Sequence, residues 1–422
     1  MDHISLDQYL LALREEIPLE VQVRQAHQHL LELCDSCRRE WCEGAGGPGN
    51  GGPPSPAEDS SRPPSAEPLH VSGQEIEEAE RRLSDRREAA RLARVDLARL
   101  RRLPRTEWRR RVSRSRRRYR SRAFAELLVA ESKRHVRSAP REAEALAALV
   151  PTVISLHGPS PGERTWTRLL RLRSRAHRAN ALRIAGDLPA ADSVFRTIHE
   201  ELAIRPHGDI GLVAELASLE SSLRSSQRRF GLARALLVRL KEAQQIAGDQ
   251  LGFAKTLIQL AILERDIGHP SRSLPFLDEA EDYLRGTEDF LLPSCSIIAR
   301  VNVLCDLDRH DQAEGILVSH GHIIESLDDD YVRAIHQTLR ARIDQGYGRF
   351  AAAVRGFDSA RERCLTLGRD YDACLAALHM ADALRALGRF ADMRRLALEL
   401  IPMFAVRGVT REALAAVRLL AC

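Results

Sequence analysis

The stretch YGRFAAAVRGF, Tyr347–Phe357, decides how this chain is read. If a helix starts near Phe350, Ala353 and Phe357 follow it at three and seven residues and share one face. The same frame recurs on both sides. Upstream it reads LDRHDQAEGIL around His310, IGHPSRSLPFL around Pro270, QRRFGLARALL around Phe230 and AGDLPAADSVF around Leu188; downstream it reads LGRFADMRRLA around Phe390. The anchors from Phe230 onward are 40 residues apart, and the first interval is 42. Three places after each anchor stands Ala191, Ala233, Ser273, Ala313, Ala353 or Met393. Seven places after it stands Phe195, Leu237, Leu277, Leu317 or Phe357, and only the last unit departs, with Ala397. Gly248, Gly368 and Gly408 mark a third position, eighteen after the anchor, and fit helix C-termini, where a left-handed residue costs little.

The physical content is a helix, a tight turn and a second helix in every unit. The small residue lets the two helices approach, and the large apolar one fills the space between neighbouring units. No such unit buries its own face, so the units must stack. This predicts an all-α helical-repeat solenoid over residues 165–422, in which the final unit tolerates a smaller residue because no repeat follows it.

The Gly-x-Phe-x-x-Ala turn, with an aromatic residue or Leu further along, resembles the tetratricopeptide repeat. The period of about 40 departs from that family's usual ~34 residues and implies longer helices or longer joints. The resemblance implies a superhelix whose concave face grips a peptide or a helix of another protein. Ahead of the regular array, AFAELLVAESKRHVRSAPREAEALAALVPTVISLH reads as another helix pair hinged at Pro140, a degenerate first repeat, joined to the array by GPSPGE, 158–163. Before that, SGQE after Val71 reads as a capping box. Ile76, Leu83, Ala90 and Leu97 then form an apolar stripe on a helix that Pro104 ends. Residues 74–157 are thus a basic helical region that includes the degenerate repeat.

The chain is long enough for two or three domains, and its net charge of +5 hides a strong division. Residues 1–80 carry 16 acids and 5 arginines, residues 81–141 carry 23 bases and 6 acids, and the remainder is close to neutral. Within the basic zone, RRLPRTEWRRRVSRSRRRYRSR, 101–122, holds twelve arginines and one acid. Arg109, Arg110, Arg111, Arg114, Arg116, Arg117, Arg118 and Arg120 are the candidate nucleic-acid-binding residues of an alternative reading, since arginines that neutralise phosphates release counterions. Trp108 and Tyr119 are of a type that stacks on bases. Yet Trp108, Val112, Ser115, Tyr119, Ala123 and Leu127 are spaced 4, 3, 4, 4 and 4, the pattern of one continuous helical face that packs inward. A third arrangement is intramolecular, with the acidic N-terminal zone folded onto this basic helix. Lysine is scarce, at Lys133, Lys241 and Lys255 only, so arginine abundance by itself carries little information.

Residues 44–73 contain seven Gly, seven Pro and five Ser, and this composition predicts a disordered linker. It sets apart a head, 1–43, in which HQHLLELCDSCRREWC, His27–Cys42, gathers three of the eight cysteines. Cys34 and Cys37 have the spacing that lets two thiolates face one zinc ion, and His29 lies five residues before them. His3 stands as the fourth ligand, with Cys42 and His27 as competitors. A unit this small gains most of its stability from such a staple, roughly 10–16 kcal/mol in zinc-finger peptides. With His3, YLLALREEIP, HLLELCDSC and Arg38-Arg39, the head resembles the zinc-binding anti-sigma domains of bacteria, although four residues rather than three separate His29 from Cys34. That resemblance implies a structural Zn2+, a sigma factor as partner, and release of the metal on thiolate oxidation.

Catalytic signatures are missing: there is no Gly-rich phosphate loop, no nucleophile elbow and no His-Glu-x-x-His. A zinc closed by four protein ligands leaves no position for water. SLDDDY, 326–331, reads as a helix-capping turn. Neither a secretion signal nor an apolar run long enough to cross a bilayer is present, and Cys295, Cys305, Cys364, Cys374 and Cys422 read as small hydrophobes in a reducing compartment. The sequence therefore predicts a non-enzymatic, cytoplasmic bacterial adaptor or regulator with a protein partner on its solenoid.

Overall fold

The computed structural model describes residues 73–115, 118–158, 160–205, 209–287, 290–327 and 329–406. Among them the chain forms sixteen α-helices, two short 3-10 turns and no strand. Helices α1 (Gly73–Arg101) and α2 (Arg105–Arg114) precede seven helix pairs. The pairs are α3 (Arg122–His135) with α4 (Pro140–His157), α5 (Arg164–Ile184) with α6 (Leu188–Ile204), and α7 (Ile210–Ser226) with α8 (Phe230–Ala247). They continue with α9 (Gln250–Ile267) and α10 (Ser273–Leu284), α11 (Leu291–Asp306) and α12 (His310–Glu325), α13 (Asp330–Gly346) and α14 (Phe350–Thr366), and α15 (Asp370–Ala386) and α16 (Phe390–Val406).

Each anchor read from the sequence opens the second element of its pair, directly or, at Pro270, through a 3-10 turn. All six residues at the third following position are fully buried, and those at the seventh are no more than 5% exposed. The small residue and the space-filler thus sit where the repeat places them. The turn in front of each anchor has one geometry throughout. Gly186, Arg228, Gly268, Asp308, Gly348 and Gly388, each two residues before its anchor, have φ between 55° and 107°. The next N–H returns to the carbonyl five residues back, as from Arg349 to Asp344 at 2.8 Å and from Arg389 to Leu384 at 2.9 Å. This is the Schellman closure that a left-handed residue permits. Gly248 and Gly368 are left-handed as well, at the ends of α8 and α14. The pair α3–α4 joins the stack by the same means: Ala143 and Ala147, three and seven residues after Pro140, are buried, and Gly158 is left-handed.

Successive first helices touch along the array, α3 with α5, then α7, α9, α11, α13 and α15. The second helices of neighbouring pairs form no comparable layer among the described residues. A stack that is tight on one side and splayed on the other curves toward the tight side, so the first helices form the inner, concave wall of a superhelix. The core lies between the layers. Ala93, Leu97 and Leu100 of α1 and Trp108 and Val112 of α2 close the N-terminal end of the stack against α3 and α4.

One expectation fails here. The arginine stretch is not a continuous helix: α2 stops at Arg114, Ser115 is extended, Tyr119 is left-handed with φ 61°, and α3 begins at Arg122. Both aromatic rings are nonetheless in the core, each 3% exposed. The bend delivers Tyr119 against Phe124, with ring centroids 5.3 Å apart, while Trp108 donates from its indole nitrogen to the Leu103 carbonyl at 3.0 Å. A straight helix would also have stacked the arginines at i, i+3 and i+4, where like charges repel. Asp329 caps α13 through its side chain, accepting from Tyr331 N at 2.8 Å, in line with the reading of 326–331 as a capping turn.

Candidate functional site: the concave groove

The inner wall is polar. Near one edge Glu215 of α7 gathers three cationic side chains from two other helices, α5 and α3. Its carboxylate meets His177 Nε2 at 2.9 Å, Arg173 Nε at 3.1 Å and Lys133 Nζ at 3.4 Å. Burial alone would raise this carboxyl, but the hydrogen bond from His177 and the charges around it hold it down to about 2. Lys255 of α9 reaches solvent yet is enclosed by protein; burial lowers its pKa, and the like charge of Lys133 lowers it further. One turn along, Gln259 donates to the Ser218 carbonyl and to Ser222 Oγ, both at 3.2 Å. Deeper along the array Arg342 binds Asn302 Oδ1 and Asp306, each at 2.5 Å, and Arg265 lies 3.7 Å from the same aspartate. These bonds tie successive first helices to one another.

The superhelix closes on itself. Arg369, between α14 and α15, donates to the backbone carbonyl of Arg137, 232 residues away, at 3.2 Å. Arg137 in turn pairs with Asp329 at 3.8 Å. Arg369 is 7% exposed; its guanidinium lies 3.5 Å from the Tyr331 ring centroid and binds Asp372 at 2.6 Å. Arg183, in the last turn of α5, belongs to the same junction: burial pushes its guanidinium down to about 10, and the charge of Arg369 adds to the shift. The edge formed by the early turns therefore meets the start of the late first helices, and the groove between them is walled on both sides. Facing it is His379 of α15, stacked on Phe357 with centroids 5.5 Å apart. Burial, then the charges of Arg342 and Arg265, lowers His379 to about 3, so it is neutral near pH 7.

Of the residues singled out from sequence, His3, His29, Cys34 and Cys37, with Cys42 and His27, lie outside the described residues, as do Arg116 and Arg117. No group of three or more His, Cys, Asp or Glu among the described residues is placed to hold a metal. Arg109, Arg110, Arg111 and Arg114 stand exposed on α2, and Arg118 is exposed beyond it. Arg120 is half-buried and donates through Nε to the Ser115 carbonyl at 3.0 Å. With Trp108 and Tyr119 in the core, no aromatic ring of this stretch is available to stack on a base. Cys305, Cys364 and Cys374 are buried thiols and Cys295 is half-buried; burial pushes Cys364 up to about 12, which leaves it unreactive. No helix of the described residues is long and apolar enough to cross a membrane.

Sequence reading missed the groove residues Arg183, Tyr331 and Arg369. Two signals pointed there. Tyr331 and Tyr371 stand one 40-residue period apart, where the preceding units have Leu251 and Leu291. And two of the three lysines, in a chain that otherwise uses arginine, are Lys133 and Lys255.

Fold and groove together define a tetratricopeptide-like helical solenoid. A solved structure described as "Crystal Structure of Rap Protein Complexed with Competence and Sporulation Factor" is similar over 68% of this chain and 78% of that one, with a TM-score of 0.53 and 16% sequence identity. The likeness is one of fold. No protein-family model and no curated protein matches the chain.

Proposed function

We propose that this protein is a non-enzymatic adaptor or regulator whose concave groove holds a segment of a protein partner, with residues 1–43 as a second, zinc-stapled module. The observation that carries the reading is the closure at Arg369, which turns an array of helix pairs into a groove walled on both sides and lined by polar side chains. Concave sites of this kind take a ligand by burying much of its surface while a few placed polar groups fix its orientation. The Rap protein of similar fold is complexed with Competence and Sporulation Factor in its structure, which supports a protein-binding role for such a superhelix. A photo-crosslinking residue at Gln259 or Tyr371 should yield adducts with a protein partner, whereas one at the exposed outer positions Val318 or Leu398 should not. Equal labelling from both faces would remove the groove from the reading.

For the head, His3, His29, Cys34 and Cys37 supply the imidazole and thiolate donors that a structural zinc takes, and a sigma factor is the partner that the anti-sigma resemblance implies. Bound zinc per chain, compared between the unsubstituted protein and a Cys34→Ser/Cys37→Ser variant, tests the metal: about one ion against none is the expected result. The rival reading, a nucleic-acid-associated factor acting through Arg109–Arg120, keeps exposed arginines at Arg109, Arg110, Arg111, Arg114 and Arg118 but loses its stacking rings to the core. It requires binding that falls steeply as salt rises.

A further inference from the structure

The N-terminal end of the solenoid carries a second feature that the groove does not use. The last turn of α1, helix α2 and the segment after it enclose an open cleft of about 360 Å3 lined by Arg99, Arg102, Arg111 and Arg118, with Leu103, Tyr119 and one acid, Glu107. Arg99 has a weak partner in Asp96 at 3.5 Å. Arg102, Arg111 and Arg118 make no side-chain ion pair among the described residues, and the same holds for Arg105, Arg109, Arg110 and Arg114 on the surrounding surface. Elsewhere more than half of the described arginines are ion-paired: Arg101 with Glu131 and Glu142, Arg178 with Glu144, Arg300 with Asp278 and Glu281. Four guanidinium groups around one concavity repel each other and want an anion between them. The C-terminal dipole of α1 favours cations at its last turn but does not neutralise them.

We propose that this cleft is the docking site of the chain's own acidic N-terminal segment, residues 1–43. Residues 1–43 carry 9 acids against 4 arginines, the opposite sign to the surface around the cleft. Residues 44–72 connect the segment to Gly73, the first residue of α1. From there Arg99 lies 26 residues along the helix, roughly 40 Å at 1.5 Å per residue. The 29 residues from 44 to 72 span up to about 100 Å when extended, so the tether reaches the cleft with chain to spare. A tethered segment meets its site at an effective concentration on the order of millimolar, which a few exposed ion pairs suffice to exploit. Nucleic acid is the less favoured occupant, because the rings that would read or stack on bases are in the core and only phosphate contacts remain.

The test keeps the whole protein. A protease site placed between Gly51 and Gly52 is cut after purification, and the nicked protein is chromatographed at about 50 mM and about 500 mM salt, on either side of the ~10 Å screening length at 0.1 M. The head should travel with the body at low salt and separate at high salt. An Arg102→Glu/Arg111→Glu variant should release it at both, with association at least tenfold weaker, while Arg285→Glu, an exposed reversal far from the cleft, should behave as the parent. Because all three substituted arginines are exposed, unchanged circular dichroism is expected, and Arg102→Gln/Arg111→Gln repeats the test without adding negative charge. Separation of the parent at low salt overturns the proposal, as does retention of the head by the reversed variant. A labelled DNA duplex that binds the intact protein as tightly as it binds the body from which the cut head has been removed at high salt would also overturn it and assign the cleft to nucleic acid.

Discussion

At the scale of single residues, the left-handed position two places before each anchor sets the shape of every turn. Four of the six are glycines, and Arg228 and Asp308 hold the same backbone geometry with a side chain attached. An L-residue there costs about 1–2 kcal/mol, somewhat less for aspartate. Asp308→Gly should therefore raise unfolding stability by about 0.5–1 kcal/mol and Gly348→Ala lower it by about 1–2 kcal/mol, both read from urea midpoints. His379 makes a separate prediction. The fold holds it neutral with its pKa lowered to about 3, whereas in the unfolded chain it protonates near 6.5. Stability is then intact above about pH 6.5 and falls as pH drops toward 3, because the unfolded state takes up the proton first. The urea midpoint should decline between about pH 7 and 5, and His379→Gln should flatten that decline. A slope unchanged in the variant would assign the loss to other groups. The anchors and their partners at three and seven residues were legible in the sequence because burial imposes a local spacing. Arg228 and Asp308 were not, since neither side chain announces a left-handed backbone and only their place in the repeat betrays it.

Among elements, the repeat works by close approach of the two helices in a pair. Gly356 of α14 faces Ala341 of α13, and a Cβ added there would lie 2.9 Å from the Ala341 Cβ. That methyl is fixed to the backbone and has no rotamer to escape into. Gly356→Ala gains up to about 1 kcal/mol in helix propensity, yet the crowding costs roughly 1–3 kcal/mol. A net loss of stability is expected, with compensation by Ala341→Gly in the double variant. The first two helices show how far periodicity carries. The stripe from Ile76 to Leu97 lies within α1, and from residue 81 onward Ala93, Leu97 and Leu100 at its end are its buried members, while Leu83 is 52% exposed. A pattern says which residues share a face and nothing about how much of that face finds a neighbour. The break between Arg114 and Arg122 was invisible for a different reason: no Gly or Pro marks it, and the 4-3-4-4-4 spacing that argued for one helix is met by a bent chain that buries the same residues.

For the whole molecule, the decisive contact joins residues that local sequence cannot relate. In an open solenoid each repeat feels only its neighbours, so a substitution late in the array leaves the first repeats untouched. Here Arg369 bonds to Arg137, and Arg137 to Asp329, so the α3–α4 pair and the α13–α15 region lean on each other. Removing the guanidinium strands Asp372 beside a buried junction and removes the cation from the Tyr331 ring, a cost of about 2–4 kcal/mol for a largely buried pair. Arg137→Ala is milder, about 1 kcal/mol or less, since the acceptor for Arg369 is its backbone carbonyl and the ion pair to Asp329 is long. The distinguishing measurement is hydrogen exchange along the chain. In Arg369→Ala, protection should fall in α3 and α4 as well as around α15, because losing the closure frees both edges. If protection is lost only near the substitution, the junction is a bystander and the groove is open on that side. If both edges loosen together, closure is part of the fold's cooperativity, and a partner seated in the groove would grip the first and last repeats at once.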